Sequence, residues 1–368
     1  MITIDGNSGN YVSIKGRQYS CFSGNNYLGL SNHPKMIEKV VDSVQRYGIN
    51  FSASRKTTGT SDIHLSLEDL LSDFKKCESS IVFASGYFGN SLLLHALKDR
   101  YSAVFIDSQA HPSITDSIPK DIKVIEFYDH LNTDHLEALL RQHKNIEPMI
   151  ITDGLFALTG EIAPLDKIST LAMEFQALLV VDDAHATGVL GNHGRGTPEH
   201  FDIQSASHIY QTETMSKALG SYGGFISSTS EIIDKIQSTS TFYAASTALP
   251  PSVVSAGIFS IQYIQNHPEI RLRLLNNARV MKKSILEMGF KTINSVAPII
   301  PLFFDQKKNA EHLSKYLEAQ GFIVPAIDYP VKTGRHMLRM TTSAGHTEHQ
   351  IEELLFHLKK WADQYGTN

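Results

Sequence analysis

The chain has 368 residues, with 33 Lys+Arg against 38 Asp+Glu, a formal net charge of −5, 42% hydrophobic residues and two cysteines. That balance supports a large buried core and excludes a disordered chain, a disulfide scaffold and a basic nucleic-acid surface. No apolar run approaches the ~18 residues of a bilayer span, and the first residues lack a basic-then-apolar leader, so a reducing, cytoplasmic setting is the expectation.

The length predicts a large domain and a smaller one. Residues 1–35 are expected to pack with the small domain and 36–250 to form the large one. Residues 251–368 would supply a linking helix and the rest of a small α+β domain. Between about 60 and 230, short β-branched runs alternate with helical patterns. The predicted strands are SIVFA (80–84), AVFID (103–107), IKVIEF (122–127), PMIIT (148–152), ALLVVDD (177–183), SHIYQT (207–212) and GGFISS (223–228). Their nearly uninterrupted apolar character fits strands covered on both faces. The interleaved TDHLEALLRQH (133–143) and LDKISTLAMEF (165–175) carry helical spacing. Together they predict an α/β fold with a mostly parallel seven-stranded sheet. After Pro250–Pro251 come a helix with Ile270, Leu274, Ala278, Met281, Ile285 and Met288 on one face and a strand at 299–304. A helix at 310–321, a strand at 336–342 and a terminal helix from about Glu348 complete the chain.

Two segments carry the chemistry. VVDDAHATG (180–188) ends an apolar strand in Asp182-Asp183-Ala184-His185, where open α/β sheets bind ligands. TETMSKALGSYGG (212–224) places Lys217 just after a short strand among small residues. A lysine in a confined, partly desolvated site can be neutral and form an imine. Ser85-Gly86-Tyr87 follows another strand and opens a helix, which makes an anion site of its backbone amides. Pyridoxal phosphate needs these three things: a Schiff-base lysine, an acid for its ring nitrogen and a phosphate cradle. The bland alternatives are a solvated lysine, a capping or metal-binding DDAH, and a Ser-Gly turn. Metal spacing is poor, with no HExxH or paired Cys/His set, so no metal site is predicted.

FSGNNYLGLSNHP (22–34), SRKTTGTSDIHLSLEDLL (54–71), FASGYFGN (83–90), DSQAHPS (107–113) and DGLFALTGEIAPL (153–165) occur in order. VDDAHATGVLGNHGRG (181–196), TETMSKALGSYGG (212–224), ASTALPP (245–251) and LRMTTSAGHT (338–347) follow. In this order the chain resembles the α-oxoamine synthases, a branch of the fold-type-I pyridoxal-phosphate enzymes, and is nearest in look to their 8-amino-7-oxononanoate synthase members. The resemblance implies pyridoxal 5'-phosphate as cofactor and condensation of L-alanine, glycine or L-serine with an acyl thioester, on coenzyme A or a carrier protein, with loss of carbon dioxide. Lys217 matches the Schiff-base lysine and Asp182 the partner of the ring nitrogen. His185 matches the histidine at the ring hydroxyl, and His111 the imidazole stacked on the ring. Ser85, Gly86, Tyr87 and Thr214 match phosphate contacts. Ser246 and Thr247 match hydroxyls reaching the phosphate from a partner subunit, which implies a homodimer with shared sites. Asn25 and Arg339 match groups that hold the amino-acid carboxylate, for which a guanidinium fork is suited.

The chain departs from the family pattern at four places. Only 24 residues precede Asn25, so the usual N-terminal helical arm is expected to be largely absent. Ala157 stands where the family has a serine in F-S-M-x-G, and Ser216 where some members have glycine before the lysine. The stretch 326–339 lacks the Arg-Pro-Pro pattern of the biotin-pathway enzymes. An aminotransferase-like paralogue and a catalytically silent partner subunit remain the alternatives.

Overall fold

A computed structural model describes residues 3–6, 8–143, 145–204, 206–327 and 336–367, so most of the 326–339 stretch lies outside the described residues. Two compact units emerge. One comprises Met1–His33, Ala157–Glu161 and His267–Asn368, the other Pro34–Phe156 and Ile162–Asn266.

The first unit opens with a hairpin of β1 (Tyr11–Ile14) and β2 (Arg17–Cys21), which sequence patterning did not reveal. Its two-residue turn is Lys15-Gly16, both at positive φ (52° and 75°), the backbone that matches strand twist in a tight hairpin.

The second unit holds a seven-stranded sheet of β3 (Ser79–Phe83), β4 (Ala103–Asp107), β5 (Val124–Tyr128), β6 (Pro148–Asp153), β7 (Leu178–Asp182), β8 (Ile209–Thr214) and β9 (Gly224–Ser228). The spatial order is β3-β9-β8-β7-β6-β4-β5. All pairings are parallel except those of β9, which runs antiparallel to both β8 and β3. This is an α/β architecture with a mostly parallel sheet, as the sequence predicts. Val104, Ile106, Met149, Ile151 and Val180 belong to one apolar core, while Ala103, Phe105, Ile150, Leu179 and Val181 belong to another. Successive residues of a strand point to opposite faces, so both faces are buried and the strands read as unbroken apolar runs.

The boundary expected near residue 250 falls instead at His267. The helix Pro251–Asn266 packs on the helices Pro34–Tyr47 and Asp62–Lys75 of the second unit. Gly257 eases the approach to the second of these, because a Cβ there would stand 3.2 Å from Leu67 Cδ2.

The C-terminal part of the first unit adds β10 (Ile299–Phe304), β11 (Phe322–Ile323), β12 (Ala326–Ile327) and β13 (His336–Thr341). They form the sheets β1-β2-β11 and β10-β13-β12. The helix Glu269–Glu287 gives Met281 and Ile285 to a core that also holds Phe22, Leu302, Leu338, Leu354 and Trp361. Among the described residues no helix is long and apolar enough to cross a membrane.

Candidate active site

The parallel strands of the second unit end at a common edge, where Asp107, Asp153, Asp182 and Thr214 are the last residues of β4, β6, β7 and β8. Because β3 and β8 both run antiparallel to β9, the segment Ser85–Tyr87 leaves β3 at this same edge and Gly224 starts β9 there. The topology thereby gathers Ser85, Gly86, Tyr87, His111, Asp182, His185, Thr214 and Lys217, all singled out from the sequence.

Asp182 is buried, and its carboxylate is held on both oxygens. Asn90 Nδ2 donates to Oδ2 at 2.8 Å and the Ala184 amide donates to Oδ1 at 3.2 Å. Asn90, 0% exposed, also donates to Ser113 Oγ (3.1 Å) and accepts from the Thr212 hydroxyl (2.9 Å). Ser113 connects this network to His111. Its amide donates to His111 Nδ1 at 3.2 Å and its hydroxyl lies 2.8 Å from the same nitrogen. With Nδ1 an acceptor, the proton of the neutral imidazole sits on Nε2. Burial keeps the His111 pKa below the usual range, against the pull of the Asp182 carboxylate, and the Lys217 ammonium also lowers it. The His111 amide donates to Asp153 Oδ2 at 3.0 Å. Burial, and next the Asp182 charge, push the Asp153 carboxyl well up, while Lys217 opposes this. His185 is also buried, within the turn that follows Asp182.

The helix Gly89–Ala96 is entered through a single turn, Gly86–Phe88, capped by Ser85, whose hydroxyl accepts from the Tyr87 amide at 3.4 Å. Gly86 faces Thr214 so closely that a Cβ would lie 2.8 Å from Thr214 Cβ and 2.9 Å from its hydroxyl. A Cβ on Gly224 would in turn stand 2.7 Å from Gly86 Cα. The Thr214 hydroxyl is 2.9 Å from the Gly223 carbonyl and accepts from the Ser216 amide at 3.1 Å. Ser216, the departure from glycine, is thus tied into this cradle. Amides at a helix start, hydroxyls and a lysine are the donor set of a phosphate site. A cradle of this shape, with a buried carboxylate and a neutral imidazole beside it, fits pyridoxal phosphate. The Tyr87 ring leans edge-on against His111 at 6.0 Å, and its hydroxyl donates to Asp116.

Three residues that sequence reasoning passed over, and Asp183, which it named without a role, underpin the site. Asp153 ends an apolar strand as Asp182 does, and that shared signal identifies it. Asn90 is a polar residue at the start of an otherwise apolar helix. Asp183 accepts from the Thr197 amide (2.8 Å) and hydroxyl (2.6 Å) and from Gln211 Nε2 (2.9 Å). Burial raises its pKa to about 6. Glu213 pairs with Lys75 at 2.5 Å and accepts from the Thr187 hydroxyl at 2.7 Å. Only the three-dimensional pairing of Lys75 with Glu213 distinguishes them from surface charges.

Other predicted residues lie elsewhere. Ser246 follows the helix Thr241–Ala245, and exposed Thr247 bridges to Ser54. Among the described residues no hydrogen bond links either to Ser85–Tyr87 or Thr214. Asn25 and Arg339 belong to the first unit, where they meet. Arg339, 8% exposed, donates from Nη2 to Asn25 Oδ1 at 3.1 Å and from Nε to the Ala157 carbonyl at 2.7 Å. The Tyr27 hydroxyl donates to the same Asn25 oxygen at 3.2 Å. Burial pushes that phenol up to about 12, against the nearby Arg339 charge. Among the described residues no group of three or more His, Cys, Asp or Glu could hold a metal ion.

The profile of the family described as aminotransferase class I and II matches residues 19–358. A curated relative, 8-amino-7-oxononanoate synthase of Lysinibacillus sphaericus, is 38% identical over 96% of this chain and 92% of its own length. The 8-amino-7-oxononanoate synthase of Geobacter sulfurreducens is 35% identical over 99% and 94%. Among solved structures, serine palmitoyltransferase from S. paucimobilis, with a bound PLP–myriocin aldimine, superposes with a TM-score of 0.94 at 26% identity. It matches over 100% of this chain and 94% of its own.

Proposed function

We propose a pyridoxal-5'-phosphate-dependent C-acyltransferase of the α-oxoamine synthase type, from the premise that the chain belongs to the aminotransferase class I and II family. The reaction joins a small amino acid to an acyl thioester and releases carbon dioxide and free thiol. Both named relatives carry the 8-amino-7-oxononanoate synthase name, and L-alanine, glycine and L-serine are the amino acids to test first. The observation that carries the reading is the gathering of Asp182, His111 and Lys217 at one sheet edge, where Asp182 ends β7 and the charges of Asp182 and Lys217 both act on His111.

Pyridoxal phosphate supplies an aldehyde carbon and an electron-accepting ring that ease removal of a proton from the amino-acid Cα. The chain's residues divide the remaining work. Lys217 would anchor the aldehyde through Nζ and, once displaced, move the Cα proton. Asp182, braced by Asn90 and the Ala184 amide, would hold a proton on the ring nitrogen. His111, neutral and fixed through Nδ1, would keep the ring in register, and His185 would hydrogen-bond the ring hydroxyl. The amides of Gly86 and Tyr87 and the hydroxyls of Ser85 and Thr214 would bind the phosphate. Arg339 and Asn25 would hold the amino-acid carboxylate.

A second copy would bring Ser246 and Thr247 to the phosphate. Exposed Ile37 and Val41, four residues apart on the helix Pro34–Tyr47 and so on one side of it, support an apolar contact face. A homodimer in the cytoplasm is the corresponding assembly, and sedimentation equilibrium checks its stoichiometry.

The deciding assay follows free thiol from acyl-CoA with each amino acid, together with the visible absorbance of the lysine-bound cofactor. The reading requires amino-acid-dependent thiol release and loss of that absorbance in Lys217→Ala. Accumulation of keto acid without thiol would instead establish transamination.

A further inference from the structure

Lys282, on the helix Glu269–Glu287, is 2% exposed and takes no part in the chemistry above. Its ammonium donates to the Ser295 carbonyl (2.7 Å), the Ser295 hydroxyl (3.0 Å) and the Ala297 carbonyl (2.6 Å). An apolar side chain would fill this position without the large desolvation cost of a buried cation. What the amino group adds is directed N–H donors, all spent on one irregular turn ahead of β10, while burial pulls its pKa down to about 7.

Among the described residues, that turn reaches outward through Ser295. With its lone pairs facing the ammonium, the Ser295 hydroxyl donates its own hydrogen to the Gly160 carbonyl at 2.6 Å. Gly160 has φ +68°, and a Cβ there would lie 2.7 Å from the Ile299 carbonyl oxygen. The segment Ala157–Glu161 is therefore gripped at Gly160, and at its other end the Ala157 carbonyl receives Arg339 Nε at 2.7 Å. Two acceptors, the Ala157 carbonyl and Asn25 Oδ1, fix the plane of the Arg339 guanidinium and so the direction of its remaining N–H groups.

We propose that Lys282 is a positioning residue for amino-acid binding: through Ser295 and Gly160 it sets the Ala157 carbonyl, and with it the aim of the Arg339 fork. This rests on the reading of Arg339 as the carboxylate ligand. The relay governs the affinity for the amino acid and leaves the chemistry at Lys217 alone.

The test uses the holoenzyme titrated with L-alanine, glycine and L-serine, read by the change in visible absorbance and by steady-state kinetics. Ser295→Ala removes the donor to Gly160 but leaves Lys282 its two carbonyl acceptors, so it decides the matter even where Lys282→Met fails to fold. Both variants are expected to raise the amino-acid Kd and KM about tenfold, with kcat and the acyl-thioester KM within about twofold. In an Arg339→Lys background Ser295→Ala is expected to add nothing, because both changes act on one chain of contacts. An unchanged amino-acid Kd in Ser295→Ala, with Arg339→Lys impaired, overturns the relay alone. Lower thermal stability or kcat with an unchanged Kd makes Lys282 merely structural and overturns it too. Wild-type affinity in Arg339→Lys removes the carboxylate reading on which the relay rests.

Discussion

Asn90 can face Asp182 in only one sense. The Asp182 carboxylate only accepts, so Asn90 Nδ2 meets it at 2.8 Å and Oδ1 is the atom left to accept from the Thr212 hydroxyl at 2.9 Å. Thr212 lies on β8, the strand that also carries Thr214, so Asn90 ties the acid to the strand of the phosphate cradle.

Replacing Asn90 separates its two roles. Asn90→Ala strands the Thr212 hydroxyl and one Asp182 oxygen in a buried site, which costs about 1–3 kcal/mol of stability. Asn90→Asp places a second carboxylate against Asp182, and like charges at that distance force a proton onto one of them. Cofactor affinity is expected to fall at least tenfold in Asn90→Asp, measured by absorbance titration of the apoprotein. Unaltered affinity there would dissociate Asp182 from cofactor binding.

Gly86 tests the cradle by space alone. A Cβ at 2.8 Å from Thr214 must push β8 and the Gly86–Phe88 turn apart. Gly86→Val is expected to weaken binding of pyridoxal phosphate at least tenfold and that of unphosphorylated pyridoxal far less, with the circular dichroism unchanged. Equal losses for the two ligands would place the phosphate elsewhere.

Buried ion pairs were the part of the molecule least legible beforehand, whereas the sheet was nearly all visible. Its inner strands are buried on both faces, while the edge strand β5 exposes Ile125 and Phe127 and was outlined by its apolar residues all the same; Lys217, Asp182 and His111 sat at or just beyond the ends of such runs. The β1–β2 hairpin escaped because its strands are short and mostly polar, with Lys15-Gly16 as its only marker. The domain boundary moved because the helix Pro251–Asn266 reads as apolar without stating which helices it packs on. Arg55 stands beside Lys56 in a polar stretch, and nothing local marks it as buried. Its guanidinium instead clasps Glu68 through two bonds of 2.8 Å, with both side chains under 10% exposed.

That pair yields a stability prediction. Glu68 Oε1 also accepts from the Val82 amide of β3 at 3.0 Å. Glu68→Ala therefore strands a buried guanidinium and a strand amide together, and breaking such a pair costs about 3–5 kcal/mol. The paired change Arg55→Met with Glu68→Leu is expected to recover most of that loss in urea denaturation. A Glu68→Ala loss below about 1 kcal/mol would mean that water reaches the pair.

His346 makes the first unit sensitive to acid. Its Nδ1 accepts from the Ser343 amide at 2.9 Å, so its Nε2 carries the hydrogen that reaches the Cys21 carbonyl at 3.0 Å. The ring lies flat on Phe22, with centroids 4.0 Å apart. A second proton, on Nδ1, would face the Ser343 amide hydrogen with the Thr342 and Ser343 hydroxyls no nearer than 3.5 Å, and burial lowers the pKa to about 4 from 6.5. The unfolded chain therefore takes up a proton near pH 6.5 that the folded chain refuses until about pH 4. Stability from this group is complete above pH 6.5, falls as the pH drops through that window, and is level again below it. The shift predicts a loss of about 2 kcal/mol between pH 7 and pH 5. His346→Gln cannot titrate, so its stability should be lower than wild type at pH 7 and the gap should narrow by that amount at pH 5. Urea melts of the two proteins at both pH values measure the gap, and a constant difference would show that His346 is not the group that responds.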